Sequence, residues 1–206
     1  MRASFTDRKT YKPGRLLAFS DAVMAVAITL LVLELKLPEG VSDAELGAVL
    51  RDSAHSVAVY ALSFVVIGLV WMGHHEQFSW IRRIDAPLIW LNLFFLMTIG
   101  LIPFVTSLLS DHATALATGL YAGVLVTTSL LSAAMWWYAS RDVELIPEDV
   151  PQAVRRDGLV TPLLVAAVFA LSIAIAFLWS PAAGQWTWLL VLPAGRVAAL
   201  LGALDN

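Results

Sequence analysis

The chain is 206 residues long, 59% hydrophobic and 14% charged, with a mean hydropathy of +0.78, a balance that excludes an ordinary soluble domain. The net charge of −3 carries little weight when most of the surface faces lipid, and without cysteine there is no disulfide or thiol chemistry. No Gly-rich phosphate cradle, Walker lysine or basic–aromatic surface is present, which sets aside nucleotide and nucleic-acid partners.

Six apolar stretches follow one another, at about 16–37, 53–73, 86–109, 113–138, 159–180 and 185–203. Each is near the ~20 residues a helix needs to cross the hydrocarbon layer. They lack the alternation of barrel strands, and backbone groups in lipid must be satisfied internally. The expected fold class is therefore an all-α integral membrane protein, residues 1–206 forming a single six-helix domain. Charged residues precede the first stretch and no small-residue cleavage site follows it, so it reads as a retained span. Basic residues alternate between loops. Arg2, Arg8, Lys9, Lys12 and Arg15 lead into span one, Arg82 and Arg83 follow span two, and Arg141, Arg155 and Arg156 follow span four. The intervening loops hold mainly acids, or only Asp111 and His112. The positive-inside rule then predicts a multi-pass protein of the cell membrane with both termini cytoplasmic.

The first span opens on Arg15-Leu-Leu-Ala-Phe19-Ser20-Asp21 and continues without charge from Ala22 to Leu33. Ionisable residues at the mouth of a span are costly to bury unless partnered. Two readings stand side by side: a functional site, or a snorkelling Arg with an Asp at a helix N-terminus. At about 100° per residue, Val26, Thr29, Leu30 and Leu33 share one stripe. Asp21 lies about 140° from Val26, and Arg15, six residues before Asp21, is on a different side from it, so the two are poorly placed to pair within the helix and their partners are expected on other spans or another subunit. The stripe itself is either packing surface or a pore lining.

Span two closes on Trp71-Met-Gly-His74-His75-Glu76-Gln77-Phe78, predicted at the same membrane depth as the Arg15–Asp21 motif. Adjacent histidines diverge by about 100° on a helix, and no i, i+4 His pair exists, so the three-ligand pattern of a catalytic zinc is missing. No metal, cofactor or catalytic residue is expected. One histidine or Trp71 bonding to Ser20 or Asp21, tying spans one and two together, is as economical as interfacial placement of these rings.

Arg-x-x-x-Phe-Ser-Asp at positions 15, 19, 20 and 21, followed by AVMAVAITLLVLELKLP and by Trp-x-x-His-His-x-x-Phe at 71, 74, 75 and 78, resembles the prokaryotic branch of the transmembrane protein 175 family. The resemblance implies a leak-type potassium channel, a homotetramer of six-helix subunits in the lipid bilayer around four copies of the first span. It implies no TVGYG filter, and the chain contains none. The constriction it implies is made of apolar side chains of the first helix. Carried onto this chain, the ring nearest the motif is Val26, the next Thr29 or Leu30, and the outermost Leu33. Val26 is a smaller plug than the Ile or Leu often found there.

Two other classes keep a place. A proton- or cation-coupled secondary transporter would use Asp21 with His74 or His75 as a relay. The RLLAFSD segment has no counterpart in spans four to six, which weakens an inverted repeat. A membrane enzyme built on His74, His75 and Glu76 would hold a metal.

Overall fold

In the computed structural model the described residues are 9–35, 40 and 42–191, with the backbone alone described at 43, 44 and 52. Helix α1 runs over Gly14–Leu30 and tightens into a 3-10 turn at Leu31–Glu34. A short helix, α2, spans Asp43–Asp52, and long helices α3 (Ala54–Ser79), α4 (Ala86–Asp111), α5 (Ala115–Ala139) and α6 (Gln152–Leu178) follow. Helix α7, Pro181–Trp186, leads into a 3-10 stretch at Thr187–Val191. Among the described residues, five helical segments are long and apolar enough to cross a membrane. The expected sixth span, 185–203, is described only to Val191, where it is the end of α7 and the 3-10 stretch; residues 192–203 lie outside the described residues.

Local chemistry sets these boundaries. Asp85 caps α4 by accepting from the Leu88 N–H at 3.1 Å, Thr114 caps α5 at Ala117, and Ser180 caps α7 at Ala183. Each satisfies an N–H that the first turn of a helix leaves unpaired. In the first loop, Glu45 accepts from both the backbone and hydroxyl of Ser42, which starts α2, a helix the hydropathy pattern does not announce. Helix α3 runs six residues past the expected end of span two, to Ser79. Hydropathy falls at His74 and Gln77, but both are buried and bonded to neighbouring helices, so the helix continues where the apolar run stops. Helix α6 likewise begins at Gln152 rather than 159, because Arg155 is tied to the carbonyls of Ser140, Pro147 and Val150 in the preceding loop.

Helix α4 is the centre of the bundle, touching α1, α3 and α5, and α5 packs along α6. The α5–α6 approach depends on small residues, as is common between membrane helices. At Gly158 a Cβ would meet the Trp136 ring at 2.4 Å. The bundle end that carries the start of α1 is knitted by its connections. Tyr11 and Ile84 exchange backbone hydrogen bonds of 2.7 and 2.9 Å, and the Arg82 N–H donates to Leu145. Arg15, Arg82, Arg83, Arg141 and Arg155 all sit at this basic end by the helix order. Exposed Trp71, Trp80, Trp90 and Trp137 ring the same end, and Trp179 and Trp186 the opposite one, as expected of aromatic belts at two interfaces.

Candidate ion pathway and the network behind it

Helix α1 has two faces of opposite character. Ser20, Met24, Ala27 and Leu31 are all at most 2% exposed. Arg15, Phe19, Ala22, Val26, Thr29 and Leu33 are all exposed. Both sets advance by alternating steps of three and four residues, so each is a straight stripe along the helix. Leu30 borders the open stripe at 42% exposure, and the 3-10 turn stacks Leu33 above it. The subunit thus leaves the whole Val26–Thr29–Leu30–Leu33 surface uncovered, with Val26 at 55% and Leu33 at 64%.

The Thr29 hydroxyl donates to the Val26 carbonyl at 2.8 Å, an i−3 bond rather than one to Ala25. Its only proton is committed to the backbone, which leaves the oxygen lone pairs to face whatever adjoins the stripe.

Behind the stripe lies a polar network that ties α1 to its neighbours. Asn92 of α4 donates through Nδ2 to Ser20 Oγ at 3.0 Å, and Ser20 donates to the Leu16 carbonyl at 2.9 Å. Asn92 Oδ1 must therefore accept from His74, whose Nε2 is 2.8 Å away, which places a hydrogen on that ring nitrogen. The His74 ring is 1% exposed and stacks on Phe78 at 4.4 Å and on Phe95 at 5.2 Å. One residue further round α1, Asp21 Oδ1 accepts from Trp71 Nε1 at 2.9 Å. His75 is exposed and lies against Trp71 at 5.7 Å between ring centres.

The expected link between spans one and two is thus present through Trp71 and Asp21, and His74 reaches Ser20 only through Asn92. Among the described residues no hydrogen bond joins Asp21 to either histidine. Arg15 is exposed and pairs with no described residue. Sequence reasoning missed Asn92, a lone amide inside the third apolar run; its signal was an uncharged polar residue at the seventh position of α4. It also missed Gln77, which donates to the Gly158 carbonyl at 2.9 Å and accepts from Ser132 at 3.1 Å. Pro162 lacks the N–H that would otherwise bond Gly158, so Gln77 satisfies a carbonyl that a helix proline frees. A buried hydroxyl trio, Thr106, Ser63 and Tyr121, spaced 2.9 and 3.1 Å, is likewise invisible to hydropathy.

The fold and this arrangement define a multi-pass helical membrane protein whose first helix presents an apolar stripe, held from behind by a Ser–Asn–His network. A family model described as "Endosomal/lysosomal potassium channel TMEM175" matches residues 15–103. A potassium channel of Streptomyces collinus is 35% identical over 173 residues, covering 82% of this chain and 84% of that one. The crystal structure of a lysosomal potassium-selective channel TMEM175 homolog from Chamaesiphon minutus matches with a TM-score of 0.76 at 26% identity, over 90% of this chain and 97% of the other. The endosomal/lysosomal proton channel TMEM175 of Rattus norvegicus is 33% identical over 104 residues, 48% of this chain and only 20% of that protein. The chain belongs to the TMEM175 family, a family of ion channels and not of enzymes.

Proposed function

We propose that the chain is the subunit of a leak-type potassium channel of the cell membrane, a homotetramer with both termini cytoplasmic and six spans per subunit. Four copies of α1 surround the conduction path, and Val26, Thr29, Leu30 and Leu33 line it. The observation that carries this reading is the uncovered stripe from Arg15 to Leu33 on a helix whose opposite face is fully sealed. In lipid such a stripe has no special cost, but on the family's first helix it is the surface left for other copies.

A narrow apolar ring imposes a dehydration barrier on every ion, and it gates by dewetting. Potassium sheds water more cheaply than sodium, so the same ring favours potassium without carbonyl ligands of the TVGYG kind. Thr29, with its proton turned to the backbone, offers oxygen lone pairs at the middle of the barrier. Arg15, Ser20 and Asp21 serve the architecture around this path rather than ion contact.

The test is flux from liposomes containing the pure protein, with potassium, sodium and proton gradients imposed in turn. Potassium flux above sodium, non-saturating and uncoupled to protons, is expected. Saturable flux that needs a proton gradient would replace this reading with a coupled transporter using Asp21 and His74 or His75. That relay has less support, since Asp21 is engaged by Trp71 and His74 by Asn92. Proton flux without potassium flux would align the chain with the proton channel named among the vertebrate relatives.

A further inference from the structure

Away from α1, a cavity of about 310 Å³ opens between α3, α5 and α6, at the small end of the range of ligand pockets. No α1 residue lines it, so it is separate from the proposed conduction path. Its polarity is graded along the bundle. Glu76, Trp80, Trp136 and Asp157 lie at the basic end, where α3 and α5 finish and α6 starts. Deeper, the lining is mainly Val66, Leu69, Leu125, Val165 and Phe169, with the hydroxyls of Thr128, Ser129 and Thr161 among them, of which Thr128 donates to the Val124 carbonyl of its own helix. From Gly158 to Phe169 the groove runs along twelve residues of α6, about 16 Å over eleven steps of ~1.5 Å.

The charges at the mouth are unequal. Asp157 accepts two bonds from the Arg156 guanidinium, at 3.0 and 2.8 Å. Glu76, one turn before Trp80 on α3, has no side-chain hydrogen bond or ion pair among the described residues, so its carboxylate stands beside an indole with no described side chain engaging it. Trp136 is fixed there by its 2.7 Å bond to the Arg155 carbonyl and by the close backbone at Gly158. Gln77, held between Ser132 and the Gly158 carbonyl, keeps α3 and α6 at their separation on one wall. A carboxylate next to aromatic faces is the chemistry that recognises an ammonium group, and the apolar depth suits a hydrocarbon tail.

We propose that this cavity binds a single-chain amphiphile with a protonated amine head, its tail lying along α6 and its head between Glu76 and Trp80. Its head would lie at the level of the exposed tryptophan belt, the depth of lipid headgroups.

The test uses the full-length protein in nanodiscs of zwitterionic lipid and a photoactivatable dodecylammonium probe, with the dodecanol analogue alongside. The ammonium probe should label peptides covering 66–80 and 154–169. Unlabelled dodecylamine should compete at concentrations about tenfold below dodecanol. Glu76→Gln, a near-isosteric change at an exposed position, should weaken ammonium labelling about tenfold and leave alcohol labelling unchanged, with an unaltered elution profile. Val165→Trp, which fills the deep end, should abolish labelling by both. The proposal is overturned if the two probes label alike, if E76Q labels as wild type does, or if label falls only outside the residues that line the cavity.

Discussion

Phe19 and Ser20 are neighbours in the chain, and on a helix that single step is about 100°. Phe19 faces out of the subunit while Ser20 is sealed against Asn92. The same step divides the side chains assigned to ion permeation from those assigned to holding the helix, and the two groups should respond differently to substitution. Val26→Asn or Leu33→Ala should raise sodium permeation or total conductance in liposome flux, because the apolar barrier to dehydrated ions falls. Unchanged flux in both variants would remove the stripe from the pathway. Asn92→Leu leaves His74 Nε2–H and Ser20 without their partner in a buried site, a loss of about 1–3 kcal/mol. Asp21→Ala removes only the acceptor of a Trp71 ring that is 40% exposed, so water and headgroups compensate in part. Thermal unfolding of the purified protein should therefore fall more for N92L than for D21A, with potassium-over-sodium preference intact in both. A changed preference in a stable Asp21 variant would move that carboxylate into the conduction path.

At the scale of elements, the starts of α2, α4, α5 and α7 answer to nameable bonds rather than to hydropathy. Helix α2 depends on Glu45, whose carboxyl is held below its ordinary value of 4.5 chiefly by the Ser42 hydroxyl, then by the Ser42 backbone N–H. A depressed acid contributes stability above its unfolded value and loses it as pH falls through the lowered one. Amide exchange at the start of α2, corrected for intrinsic rates, should stay protected near neutral pH and open below about pH 4.5. In Glu45→Gln that pH dependence should vanish. Protection that ignores pH in the wild type would mean the capping box does not hold this helix. The continuation of α3 past Trp71 has the same kind of origin: His74 and Gln77 are polar, but each is satisfied by a facing helix.

For the whole molecule, the uncovered α1 stripe implies neighbours. The chain has no cysteine, so an introduced thiol reports cleanly on approach between copies. Ala22→Cys lies on the exposed stripe and should form an intersubunit disulfide on mild oxidation in the membrane, migrating as a dimer on non-reducing gels. Ala27→Cys, 2% exposed on the sealed face, should not. Equal cross-linking at both positions, or none at Ala22, would mean that α1 is not the helix shared between subunits.

The sequence by itself determined the class of the molecule and its first five spans, and it made the Arg15–Asp21 and Trp71–Phe78 segments stand out, because lipid demands long apolar helices and makes every polar intruder conspicuous. It also fixed which residues of α1 share a stripe, since that follows from helical periodicity alone. It did not determine which stripe is sealed and which is open, because Met24, Ala27 and Leu31 are no less apolar than Val26, Leu30 and Leu33. Only packing against α3 and α4 decides that. The partners of Ser20 and Gln77 likewise lie 72 and 81 residues away in the chain, at Asn92 and Gly158, and no local pattern encodes such pairings. They exist because a polar group inside a membrane bundle must find its hydrogen bond on whichever helix the tertiary structure brings beside it.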